Sequence, residues 1–144
     1  MTEAVFQVGI KAIITNENNE ILLLKSGSAE EKYTKIIFWD LPGGRIQEGG
    51  NIEDTLRREV EEELGVSGEL LKIDGIFSAT ISNFKKSHNS NTYLMLIAYR
   101  CRLDAEEFTL SEEHSEFKWA DVEEAKELLS TKFPRTFTDK LDDI

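Results

Sequence analysis

Four carboxylates, Glu59, Glu61, Glu62 and Glu63, fall within five residues, directly after Arg57 and Arg58. Like charges at three- and four-residue spacing destabilise a helix unless something compensates. At 100° per residue, Ile52, Leu56, Val60 and Leu64 form one inclined apolar ridge, and Glu59, Glu62 and Glu63 lie within about a 100° arc bordering it. Glu61 points elsewhere. Carboxylates held together at the edge of a core suit hard cations, because Mg²⁺ takes oxygen ligands, keeps several waters and is commonly held by one or two carboxylates plus substrate phosphates. For an isolated Glu-rich helix the alternative is a solvated acidic face with Arg57 and Arg58 as counterions. The upstream run Pro42-Gly43-Gly44 weighs against it, since bare backbone can approach the helix closely there and a solvated helix needs no such neighbour.

The elements that must position these groups are legible on either side. Asn51 is a good N-cap with Asp54 three residues on, and Gly65 supplies a left-handed stop, which brackets a helix over Ile52–Leu64. Val5, Val8, Ile10, Ala12, Ile13 and Ile14 form a β-branched run; the turn signal Asn16-Glu17-Asn18-Asn19 and a second apolar run over 21–24 follow, so the pair reads as a hairpin covered on both faces. Residues 25–35 are polar, and 36–39 read as a short strand before the turn at Asp40-Leu41-Pro42-Gly43-Gly44. Residues 70–81 and Thr92–Leu103 read as long strands around a polar loop, and 117–120 as a short strand. Asp121 can cap a helix to Leu129, and 133–144 read as one more helix with Pro134 in its first turn. Strands interleaved with helices give an α/β (α+β) layered sheet.

With 144 residues, 40% hydrophobic and 31% charged, the chain has the size and composition of one globular domain, 1–144. No linker-like stretch or repeat divides it. Cys101 alone can make neither an internal disulfide nor a cysteine zinc site, and its apolar neighbours make it a core residue. The net charge of −11 opposes bulk nucleic-acid binding. The longest apolar stretch, 94–99, is far short of the ~20 residues of a membrane span, and the start Met-Thr-Glu-Ala has no basic-then-apolar segment, so no membrane partner and a cytoplasmic location are expected. P-loop, GxSxG and zinc-type His spacings are missing.

Residues 44–66 resemble the Nudix box, G-x5-E-x7-R-E-U-x-E-E-x-G-U with U aliphatic. Gly44, Arg58, Glu59, Val60, Glu62, Glu63, Gly65 and Val66 fall at their places, and Trp39-Asp40-Leu41-Pro42-Gly43-Gly44 is similar to the usual approach to the box. The departure is Gly50, where the pattern has its first Glu. That leaves Arg58 to find another partner, with Glu62 one turn on, and Glu48 or Asp54 near the helix start to substitute in part.

The resemblance implies an α/β/α sandwich with a mixed β-sheet between helices and Mg²⁺- or Mn²⁺-dependent hydrolysis of a nucleoside diphosphate linked to another group. It implies Gly43, Glu59, Glu62 and Glu63 as metal ligands, with Arg58 orienting Glu59. The base is Glu59 or a carboxylate of the 112–116 loop, Glu113 ahead of Glu112 and Glu116. Gly44, Arg45, Lys85 and Phe38 are candidates for substrate contact; Lys85, Lys86 and His88 read either as a phosphate-binding loop or as a solvated tip. Phe38, Phe77, Phe84 and Tyr93 could stack a base or belong to the core, and His114 reads as a turn residue. The expected partner is a small-molecule nucleotide, and the family's habit adds a homodimer. The short length favours a MutT-like (d)NTP pyrophosphohydrolase giving NMP and pyrophosphate. The alternatives are RNA 5′-pyrophosphate removal, ADP-sugar pyrophosphatase activity, and a non-catalytic nucleotide-binding module, which Gly50 keeps open.

Overall fold

The computed structural model describes residues 2–26, 37–85 and 92–144, with Lys85 by its backbone alone. Lys86, His88 and most of the polar 25–35 stretch lie outside the described residues. Seven strands are present among the described residues: β1 (Val5–Ile14), β2 (Ile21–Ser26), β3 (Trp39–Asp40), β4 (Gly43–Arg45), β5 (Leu71–Lys85), β6 (Thr92–Leu103) and β7 (His114–Ala120). The α-helices of the described residues are α1 (Ile52–Leu64), α2 (Val122–Leu129) and α3 (Arg135–Thr138). A mixed sheet has the order β4-β1-β6-β5, with β1 and β6 parallel, and a smaller antiparallel sheet has the order β3-β2-β7.

The expected hairpin therefore does not form as a ladder. β1 pairs with β4 and β6, β2 pairs with β3 and β7, and only an isolated bridge between Thr15 and Ile21 joins their ends. The Asn16 turn is real, with the Asn16 side-chain oxygen accepting from the Asn18 and Glu20 amides. The two strands simply diverge after it.

Side-chain alternation divides the core in two. Ile10, Ala12, Ile14, Leu22 and Leu24 pack with Leu56, Val60 and Leu64 of α1. Ile13, Ile21 and Leu23 pack against Ala125 and Leu129 of α2 and the C-terminal Phe133, Phe137 and Leu141. Helices thus cover both faces of β1 and β2, which is why their apolar runs are continuous rather than alternating. Each fully buried Leu or Ile stabilises the fold by roughly 1.5–3 kcal/mol.

α1 runs over the expected residues. Asn51 accepts from the Asp54 amide, and Gly65 sits at φ 67°, ψ 27°, its amide donating to the Glu61 carbonyl. β7 begins at His114, three residues before the strand expected from 117, because residues 114–120 pair with β2. The C-terminal segment is the short helix α3 followed by a 3₁₀ turn rather than one helix, with Pro134 as its N-cap.

Candidate active site

The mixed sheet brings β4 across β1, with Gly44 opposite Ile10 and Gly43 opposite Lys11. At Gly43 the backbone takes φ 151°, and a Cβ there would lie 1.9 Å from the Ile10 carbonyl oxygen. Its amide is left to donate to Glu63 Oε1 at 2.8 Å. A Cβ on Gly44 would fall 2.4 Å from Glu59 Cδ, so glycine is what lets that carboxylate lie against the strand. Two box carboxylates are therefore pressed onto the Gly-Gly backbone by α1.

Glu63 is almost wholly buried, 4% exposed. Burial raises its pKa to about 8, against the pull of Lys11 and the Gly43 amide and with help from Glu59 and Asp40. Burial also raises Glu59, whose Oε1 lies 3.2 Å from Arg58. Arg58 reaches Glu62 as well, at 3.7 Å, so the partners it finds without a carboxylate at 50 are Glu59 and Glu62. Asp54 is taken up at the helix cap, accepting from the Asn51 amide side chain. Glu62 is the most exposed of the three ligand candidates. Glu61 serves structure, accepting from the Gly68 amide, while Arg57 ties α1 to the Gly68 and Leu71 carbonyls.

A cavity of about 520 Å³ opens in front of Glu59 and Glu63 and is also lined by Gly43, Gly44, Arg45, Glu113 and Phe38. Glu62 and Arg58 sit outside its lining on the outer edge of α1. Of the carboxylates in 112–116, Glu113 reaches the cavity; Glu116 stands on β7 opposite Lys25. The Lys85 side chain lies outside the described residues. Phe38 and Phe84 meet edge to face at 5.3 Å in the cavity wall, and Tyr93 lines it too. Phe77 does not join them: it packs on Phe137, with Arg100 over its ring.

His114 is not a turn residue. It opens β7, lines the cavity, and places Nε2 3.4 Å from Glu63 Oε2. Burial lowers its pKa to about 4, so it is neutral, and its Nδ1 is buried without a hydrogen-bond partner among the described residues. Glu63, Glu113 and His114 bring ligand atoms within 4.8 Å of one another. Glu59 and Glu63 in the cavity wall, Glu113 beside them and a buried carboxyl at Glu63 that resists ionisation without a cation are oxygen donors of the kind that Mg²⁺ or Mn²⁺ takes, with Glu62 on the outer edge of the same helix.

Behind the carboxylates lies a group of charges the sequence reading missed. Lys11 Nζ is 2.9 Å and Lys132 Nζ 2.5 Å from Asp40 Oδ2, and all three residues are buried. Burial alone would raise Asp40, but the two ammonium groups outweigh it and hold the carboxyl below the usual range. Burial lowers Lys132 to about 8 against the pull of Asp40, whereas Lys11, with Glu63 as a second carboxylate, ends above its ordinary value. A lysine inside the apolar run Val8-Gly9-Ile10-Lys11-Ala12-Ile13 was the available signal for the first. Nothing in the sequence around Lys132 marks it.

Residues 5–141 match the NUDIX domain family. The chain is a Nudix protein. Among curated relatives it is 30% identical over 122 residues to Nudix hydrolase 5 of Arabidopsis thaliana, covering 82% of this chain and 37% of the relative. It is 34% identical over 84 residues to nucleoside triphosphatase NudI of Escherichia fergusonii, covering 56% of this chain and 60% of the relative. The chain thus spans less than two-thirds of these relatives' length. Among solved structures, the MutT protein of Methanosarcina mazei Go1 superimposes with TM-score 0.73 at 26% identity, over 99% of this chain and 95% of that one. The E. coli dihydroneopterin triphosphate pyrophosphohydrolase shares the fold, with TM-score 0.72 at 18% identity over 97% of both chains. No helix of the described residues is long and apolar enough to cross a membrane.

Proposed function

We propose that the protein is a Mg²⁺- or Mn²⁺-dependent nucleotide pyrophosphohydrolase of the MutT kind, cleaving a nucleoside triphosphate to the monophosphate and pyrophosphate. The observation that carries the reading is the placement of Glu59 and Glu63 against Gly44 and Gly43 at the mouth of a cavity large enough for a nucleotide. Its likeness to NudI, named a nucleoside triphosphatase, and to a MutT protein favours triphosphates over other diphosphate derivatives.

Glu59, Glu62, Glu63 and the Gly43 carbonyl would hold the cation. Bound there, a divalent ion would neutralise phosphate oxygens that the carboxylates otherwise repel and would lower the pKa of the attacking water. Arg58 fixes Glu59 through its 3.2 Å contact. Arg45, exposed at the cavity rim, can meet the outer phosphates. With the helix carboxylates engaged, Glu113 takes the proton of the attacking water. Cytoplasmic location belongs to the same proposal, on the expectation that nucleotide pools are where the substrate is.

The test is a substrate panel with Mg²⁺ or Mn²⁺ and products read by phosphorus NMR. Nucleoside triphosphates should give monophosphate and pyrophosphate, and ADP-ribose, dinucleoside polyphosphates and triphosphorylated RNA should turn over far more slowly. Preferential cleavage of one of those others would overturn the substrate assignment. Glu113→Gln should lower kcat by a factor of about 10²–10⁴, the usual share of a general base, whereas an unchanged rate would transfer that role to Glu59.

A further inference from the structure

The cavity that carries the carboxylates continues past them along a line of named contacts. Lys11 feels the charge of Glu63 and bonds to Asp40; Asp40 bonds to Lys132; the Lys132 ammonium lies 5.2 Å over the Phe38 ring; and Phe38 meets Phe84. The far end is therefore two aromatic walls with a buried ammonium between them and the helix carboxylates. It suits a flat ring whose edge reaches Lys132.

The charged groups of that end can still donate but hardly accept. Asp40 Oδ1 accepts from the Leu41 amide at 2.7 Å, and Oδ2 accepts from both lysines, so the carboxylate is already engaged by its own chain. Lys132 carries three N–H groups and no acceptor, and its single hydrogen bond through Nζ among the described residues goes to Asp40. Ser26 Oγ accepts from the Phe38 amide and keeps both its hydroxyl hydrogen and a second lone pair, so it does not discriminate. Gln7, farther along the lining, has an amide that can present either sense and does not discriminate.

Lys132 is also held in place. Its carbonyl accepts from Ser82 Oγ at 3.1 Å and from the Asn83 amide at 3.0 Å, and its own amide donates to Leu129. The backbone of the residue is locked between α2 and β5, and its ammonium is held by Asp40.

We infer that Lys132 is a specificity-determining residue, donating from the cavity wall to a carbonyl on the edge of a flat heterocycle that stacks on one of the two perpendicular rings, Phe38 or Phe84, with the other against its edge, so that keto bases are selected over amino bases. This rests on the reading of the cavity as a nucleotide site. An amino group at the same edge would oppose N–H to N–H and leave a buried donor unpaired, a loss of about tenfold or more in affinity.

The closing experiment compares pairs that differ at that edge, inosine against adenosine 5′-monophosphate and uridine against cytidine 5′-monophosphate, by calorimetry on the full chain with Mg²⁺. The monophosphates contain no pyrophosphate bond, so binding is read without turnover. The expected result is that the keto member of each pair binds about tenfold more tightly, that Lys132→Met brings the ratio near one, and that Lys132→Arg keeps it. Equal affinities within each wild-type pair, an undiminished ratio in Lys132→Met, or no binding of any of the four would overturn the inference. The wild-type pairs need no variant, so they decide even where a substitution at this buried site prevents folding. Turnover of the four triphosphates separates the two readings. Equal kcat/KM for all four would overturn the keto selection and leave the hydrolase standing; keto-selective binding with no turnover would do the reverse.

Discussion

Gly43 and Gly44 stand side by side yet should fail differently. A methyl at Gly43 would meet the Ile10 carbonyl, main chain that cannot turn aside, in a backbone conformation that L side chains rarely adopt. A methyl at Gly44 would meet the end of the Glu59 side chain, which can swing away. Gly43→Ala should therefore reduce the yield of folded protein or lower its Tm sharply. Gly44→Ala should keep Tm within a few degrees and lose about 10²-fold in kcat, because a catalytic carboxylate displaced by an ångström is costly. Thermal melts and steady-state rates on the two variants check the contrast, and equal behaviour would contradict this account of Glu59.

At the scale of elements, α1 is the piece everything else is fitted around. Arg57 is its main lateral tie, donating to two carbonyls beyond the helix, at Gly68 and Leu71. Arg57→Ala should cost about 1.5–3 kcal/mol per charged bond lost, less what water restores at this half-buried position, and urea unfolding at fixed pH reads it. Asn51→Ala should cost about 1 kcal/mol through loss of the cap. This helix was also the most legible part of the sequence, because its cap, its stop and its apolar ridge are all local signals. β1 and β2 were legible as strands but not in their pairing, since adjacency in sequence and a good turn say nothing about which third strand each will pair with. His114 and Lys132 escaped for the same reason: their roles come from contacts across 51 and 92 residues, to Glu63 and Asp40. The box itself gave the carboxylates, and the structure added that Glu59 and Glu63 are inside while Glu62 is at the rim.

Across the whole molecule, the buried Lys11, Asp40 and Lys132 join β1, the approach to β4 and the C-terminal segment at one point. Removing the single carboxylate would leave two buried ammonium groups facing each other, so Asp40→Asn should destabilise the protein by about 3–5 kcal/mol at pH 7. The pH dependence follows from the sign of the shift. Asp40 is held below its ordinary value of 3.8, so its contribution is fully present above that value and is lost as the pH falls through the lower folded-state value. The stability gap between wild type and Asp40→Asn should accordingly not narrow between neutrality and about pH 5, where loss of the carboxylate also deepens the cost of charging Lys132, and should narrow only in stronger acid, as chemical unfolding at a series of pH values will show. A gap that closes above pH 5 would contradict the buried triad.

The carboxylates of α1, the Gly-Gly backbone and the cavity make one claim together, that hydrolysis occurs where Glu63 meets Gly43. The most direct test is pyrophosphate release from a nucleoside triphosphate as Mg²⁺ is raised, in the wild type and in Glu63→Gln, whose amide oxygen can still accept from the Gly43 amide and so preserve the packing. The account predicts Mg²⁺-dependent release in the wild type and a rate at least about 10²-fold lower in a folded Glu63→Gln. Release that is indifferent to Mg²⁺, or that survives the substitution unchanged, would contradict it.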